Sequence, residues 1–80
     1  MGSTVAQNVG LDIAKDTLDV AIHPEGESFR IANTPEGHRA LIKRLKGFEI
    51  ARIVFEATGA YHRLLQKALL KAGLPWVKVP

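Results

Sequence analysis

The stretch Asn8-Val-Gly-Leu-Asp-Ile-Ala-Lys-Asp-Thr-Leu-Asp-Val-Ala-Ile22 constrains the fold more than any other part of the chain. It holds two apolar runs, Val9 to Ile13 and Leu18 to Ile22, with a polar break between them. Successive side chains of a strand point to opposite faces. Val9, Leu11 and Ile13 therefore face one way, and Gly10 and Asp12 the other. The second run repeats the pattern, with Leu18, Val20 and Ile22 against Asp19 and Ala21. Ala14-Lys15-Asp16-Thr17 supplies the turn, without the Asn-Gly or Asp-Gly of the tightest hairpins. The result is a hairpin with one apolar face and a carboxylate, Asp12, near the end of its first strand. Aspartate is common in turns. A carboxylate taken out of water needs a partner or a metal. Asp12 is thus a turn cap or a functional acid, and the hairpin alone leaves both open.

The chain's 80 residues suffice for one small domain, and a chain near this size buries only about 60% of its unfolded surface. It has no cysteine, which excludes a disulfide framework and a thiolate zinc site and suits a reducing compartment. No apolar run approaches the roughly 20 residues of a membrane span, so no membrane partner is expected. Nor is there the charged start and apolar core of a signal peptide. Residues 1–4 read as disordered or tag-derived, and the fold is expected over 5–80. Charge is divided unevenly. Residues 1–37 hold two basic against six acidic side chains, net −4; residues 38–80 hold nine basic against two acidic, net +7. An acidic metal site beside a basic nucleic-acid surface gives this pattern, and so do ordinary solvated faces.

Along the chain, Val5 to Ile13 and Thr17 to His23 are the first two strands. Pro24-Glu25-Gly26-Glu27 is a turn, and Ser28 to Ala32 a third strand. The period then changes. Thr34 is an N-cap, Pro35 the first helical residue, and Glu36 lies at the positive end of the dipole. Leu41, Ile42 and Leu45 recur at helical spacing, Gly47 is the expected stop, and Arg39, Lys43, Arg44 and Lys46 form the outward face. Arg52 to Glu56 is a fourth strand, expected to lie parallel to one of the first three. Ala57-Thr58-Gly59 turns into a second helix capped by Thr58 or Gly59. Its apolar stripe is Tyr61, Leu64, Leu65, Ala68, Leu69 and Ala72, with His62, Arg63, Gln66, Lys67 and Lys71 off it. Gly73 ends it, and Trp76 to Val79 is a fifth strand. The order is βββαβαβ, an α/β chain with a three-stranded antiparallel meander followed by parallel strands with crossover helices. A chain that stops directly after a strand is expected to be a piece of a longer protein, truncated before its last helices.

If the first and fourth strands are parallel neighbours, Asp12 and Glu56 both sit near carboxyl ends, with strands ~4.8 Å apart. Two carboxylates so placed can share a divalent cation, and the carboxyl edge of an α/β sheet is the usual ligand site. Glu56 can also be a structural acid that caps the following helix.

Val-Gly-Leu-Asp-Ile-Ala-Lys-Asp-Thr-Leu-Asp-Val-Ala (9–21), followed by Glu-Ala-Thr-Gly-Ala-Tyr-His (56–62), resembles the N-terminal domain of the DEDD-type transposases. These are bacterial insertion-sequence recombinases related to the pilin-gene invertases. The resemblance runs from about Val9 to Pro80. It implies a ribonuclease H-like fold of the Holliday-junction resolvase (RuvC) branch. It implies that Asp12 and Glu56 are the first two acids of the DEDD set and bind Mg²⁺, with Mn²⁺ as an alternative ion. The last two aspartates of the family lie on a later helix as Asp-x-x-Asp, and no such pair follows Glu56 here. The family's separate domain with a nucleophilic serine is also missing. The resemblance therefore implies a bacterial, cytoplasmic DNA recombinase whose 80-residue part is catalytically incomplete. DNA is the implied partner, and a guide RNA is one that some members of the family use. In such enzymes two Mg²⁺ ions roughly 3.5–4 Å apart stabilise the attacking and leaving oxygens at a phosphodiester.

Other residues are candidates for nucleic-acid contact, each beside a plainer role. Lys15 can touch a phosphate or be a solvated turn lysine. Thr58 and Gly59 open a helix, where a phosphate or simple capping fits. His62 can meet DNA, support Glu56 or be solvated. The basic face of Arg39, Lys43, Arg44 and Lys46 can hold a backbone but reads no sequence. Asp16 and Asp19 are assigned to the turn and the polar strand face, not to a metal. Tyr61 and Trp76 are expected to pack, and His23 and His38 have no ligand spacing. An unpaired last strand and exposed apolar surface predict self-association as a homo-oligomer. Two alternatives stand beside the transposase. An actin-like sugar kinase or ATPase opens with the same unit, but places a glycine two residues after its aspartate, where this chain has Ala14. A non-catalytic nucleic-acid-binding module would use its acids only structurally.

Overall fold

A computed structural model describes residues 5–57 and 59–80. The expected tag-like residues 1–4 and the expected cap Thr58 lie outside the described residues. The elements are β1 (Gln7–Ile13), β2 (Thr17–His23), β3 (Glu27–Ala32), α1 (Pro35–Leu45), β4 (Ile50–Glu56), α2 (Arg63–Ala72) and β5 (Trp76–Val79). The βββαβαβ order matches the expectation. Strand ends differ: β1 starts at Gln7 rather than at Val5, which is exposed, and β3 and β4 start one and two residues early.

The strands form a single five-stranded sheet in the order β3-β2-β1-β4-β5. Strands β1, β2 and β3 are an antiparallel meander, and β4 adds to β1 in parallel, as does β5 to β4. The alternation of β1 decides which face is dry. Val9, Leu11 and Ile13 are buried with Leu18, Val20, Ile22, Ile53 and Phe55. Leu41 and Leu45 of α1 and Leu65 and Leu69 of α2 close over the same face. Both helices therefore lie on one side of the sheet. Gly10, Asp12, Ala21, Arg30 and Glu56 are exposed on the other.

Helix α1 begins as its sequence dictates. The Thr34 hydroxyl accepts from the Gly37 N–H at 3.1 Å, and Pro35 occupies the first turn. Gly37 is required by contact: a Cβ there would overlap the Ala32 carbonyl at the end of β3. The expected stop at Gly47 is not a left-handed glycine cap. Lys46 is the C-cap in right-handed helical conformation; its N–H donates to the Ile42 carbonyl, and the Gly47 N–H to the Arg44 carbonyl. At the end of α2, Gly73 does adopt the left-handed conformation, with φ +74°.

Helix α2 departs from expectation at its start. It is capped at His62, without a side-chain bond, so Gly59 is not the cap. Gly59 instead takes φ +59° in the preceding turn. The apolar stripe is also rotated. Tyr61 is 50% and Leu64 60% exposed, whereas His62 is only 7% exposed. The inward line is His62, Leu65 and Leu69, at i, i+3 and i+7. Two arcs of apolar residues compete on this helix, and the sheet selects the one that meets Phe55.

Candidate functional site

Sheet register brings the two predicted acids to one edge. Leu11 of β1 pairs in parallel with Phe55 of β4. Asp12 and Glu56 are the next residues on the two strands, and both are exposed on the helix-free face. Adjacent strands are ~4.8 Å apart, so the carboxylates are neighbours at the carboxyl ends of parallel strands. They line a shallow groove of about 870 Å³ together with Gly10, Asp19, Arg30 and Val79. Gly10 presents no side chain beside Asp12, and a Cβ there would meet nothing within 4 Å.

A third carboxylate lies in the same row. Asp19 is the register partner of Asp12 across β1 and β2, and Arg30 is the partner of Asp19 on β3. Arg30 Nε donates to Asp19 Oδ1 at 2.8 Å and Nη2 to Oδ2 at 3.3 Å. That hydrogen bond holds the Asp19 carboxyl below its ordinary pKa, against a smaller opposing effect of desolvation. Asp19 is thus occupied by a guanidinium. Among the described residues no group of three or more His, Cys, Asp or Glu side chains is arranged to hold a metal. Among the described residues the edge supplies two carboxylates without an ion-pair partner, and Mg²⁺ typically takes one or two and fills its remaining positions with water and phosphate.

The remaining candidates scatter. Lys15 is exposed in the turn just beyond Asp12, and Gly59 is exposed in the turn after Glu56. Thr58 lies outside the described residues. His62 is buried against Phe55, with ring centroids 6.1 Å apart, rather than on the polar side of its helix. Its Nδ1 and Gln66 Oε1, one turn on, are both buried without a partner among the described residues. Arg39, Lys43, Arg44 and Lys46 belong to the side of the sheet that carries the helices, away from Asp12 and Glu56. Arg39 is 3.8 Å from Glu36. Arg44 pairs with Glu27 at 2.7 Å and lies 4.5 Å over the Phe29 ring, so it is already engaged. Trp76 packs on Phe55 as expected, with centroids 5.9 Å apart.

Two residues near the edge were not legible as site residues. Asn33, between β3 and α1, donates from Nδ2 to the carbonyls of Ala14 at 2.8 Å and Tyr61 at 3.0 Å. His38 Nε2 lies 2.7 Å from Asn33 Oδ1. Carbonyls only accept, so the Asn33 amide must turn its NH₂ toward them. Its Oδ1 then faces the ring, and Nε2 carries the proton. His38 is 3% exposed, and burial lowers its pKa. Asn33 has the signature of an ordinary residue before a helix cap; the partners that distinguish it come from 19 and 28 residues away.

The fold is ribonuclease H-like. RuvC of T. thermophilus in complex with a Holliday junction substrate superposes with a TM-score of 0.70 at 12% identity, over 92% of this chain and 64% of that one. A second Thermus thermophilus RuvC structure gives 0.65 at 15% identity, over 91% of this chain and 60% of that one. The chain thus spans less than two thirds of the length of these proteins. No curated protein sequence matches it. The family model of the IS110-type DEDD transposases, described as "Transposase", matches residues 9–80, and the chain belongs to that family. Family membership decides for the transposase over the kinase-like alternative. No helix among the described residues is long and apolar enough to cross a membrane.

Proposed function

We propose that this chain is the N-terminal part of the catalytic domain of a DNA transposase, in which Asp12 and Glu56 bind a divalent cation for strand cleavage and rejoining. The placement of these two acids on one open face, at the carboxyl ends of parallel β1 and β4, carries the reading. When bound, Mg²⁺ or Mn²⁺ would supply Lewis-acid stabilisation of charge on phosphodiester oxygens. Asp12, on the central strand, would be the shared ligand, and Glu56 the second. The bare backbone of Gly10 leaves room for a substrate phosphate to approach. Lys15 and Gly59, on the turns that follow each acid, flank that approach as phosphate contacts. With two protein carboxylates the cation is held weakly until DNA and the family's later acids add ligands. DNA is the proposed substrate, a guide RNA the proposed option for target choice, and a homo-oligomer the proposed working form.

The test has two arms. Mn²⁺ titrated into the 80-residue chain should broaden NMR signals around Asp12 and Glu56 first, and Asp12→Asn should remove the effect; uniform or absent broadening at millimolar Mn²⁺ removes metal binding by this part. In the complete transposase, Asp12→Asn and Glu56→Gln should each abolish DNA cleavage while circular dichroism is unchanged. Normal cleavage by either variant takes that residue out of the mechanism.

A further inference from the structure

The two acids sit on different strands, and the turns that follow them are joined by one side chain. Asn33 Nδ2 bonds the Ala14 carbonyl, two residues beyond Asp12, and the Tyr61 carbonyl, five beyond Glu56, with Lys15 O at a longer 3.5 Å. The Asn33 backbone N–H also donates to Asp16 O at 2.9 Å. Oδ1 is anchored from the far side by His38, a buried residue of α1. The amide is therefore held in one orientation, with its two N–H groups aimed at two different segments. Among the described residues, this is the hydrogen-bonded link between the β1–β2 turn and the 59–62 turn.

We propose that Asn33 is a positioning residue for the carboxylate edge, setting the separation of Asp12 and Glu56 by clasping the turn behind each. The proposal rests on the metal-binding reading above. Its chemistry is specific to an amide. Aspartate at 33 would keep an acceptor for His38 but set a carboxylate oxygen against two carbonyl oxygens. Alanine would release all of these side-chain partners. Groups that orient metal ligands without touching the metal typically change affinity by 10–100-fold when lost.

Mn²⁺ affinity, read from the EPR signal of the free ion, distinguishes positioning from plain stabilisation. Asn33→Asp and Asn33→Ala should weaken binding at least tenfold at a temperature where they remain folded. Thr34→Ala, which removes the α1 cap next door, should lower Tm yet keep affinity within twofold. Asn33 variants that bind Mn²⁺ as the parent does overturn the proposal. If the parent chain itself binds no Mn²⁺, the metal reading fails, and metal-free NMR spectra judge the clasp. Asn33→Asp should then disturb amides at both Ala14–Asp16 and Ala60–His62. Changes confined to residues 32–38 would show that Asn33 serves α1 alone and overturn the proposal.

Discussion

Asp19 and Arg30 are register partners on β2 and β3 and share two hydrogen bonds, of 2.8 and 3.3 Å. The pair matters because Asp19 also stands directly opposite Asp12. Like charges across a ladder repel. By pairing with Asp19, Arg30 offsets that repulsion. Since the folded pKa of Asp19 is depressed, the pair's contribution is present above the unfolded value of about 3.9 and fades as pH falls through the folded one. Arg30→Met should raise the Asp19 midpoint, followed by carboxyl ¹³C NMR between pH 2 and 6. An unmoved midpoint would mean that Arg30 is not the cause.

The two glycines Gly10 and Gly37 should respond oppositely to alanine. At Gly37 the new Cβ collides with the Ala32 carbonyl, a backbone atom that cannot swing away. Overpacking of this kind costs roughly 1–3 kcal/mol or more. At Gly10 the Cβ enters open space, and the change should stay within about 0.5 kcal/mol. Urea unfolding of both variants decides; equal losses would contradict the close seating of α1 on β3.

Acid should weaken the fold through His38. Burial lowers its folded pKa, so the folded ring stays neutral where the unfolded one protonates. Stability should therefore fall as pH drops below about 6.5 and level off past the lowered folded value. His38→Gln keeps a donor for Asn33 and removes the titration. The variant should lose less stability than the parent between pH 7.5 and 5.5. Parallel losses in denaturant midpoints would assign the effect to other groups.

The rotated stripe of α2 is open to mutation as well. Leu65 and Leu69 are fully buried, whereas Leu64 and Leu70 are 60% and 67% exposed. Leu65→Ala and Leu69→Ala should each cost about 2–5 kcal/mol. Leu64→Gln and Leu70→Gln should stay within about 0.5 kcal/mol. A large loss at Leu64 would restore the stripe that sequence spacing favoured.

Local pattern made most of the fold legible. The alternation of Val9 to Ile13 and Leu18 to Ile22 settles the hairpin and its dry face, because strand geometry leaves two faces only. Thr34-Pro35-Glu36 announces α1, since an N-cap and its first turn are set by adjacent residues. The order βββαβαβ and the candidacy of Asp12 and Glu56 follow from the same short-range signals. Only tertiary structure decided the rest, because register and packing depend on residues far apart in the chain. Pairing of Leu11 with Phe55 is what makes Asp12 and Glu56 neighbours. Contact with Phe55 turned His62 inward and left Tyr61 outside. The placement of both helices on one face separated the basic residues of α1 from the acids. Asn33 acquired its side-chain partners only when the turns after Asp12 and Glu56 met beside α1.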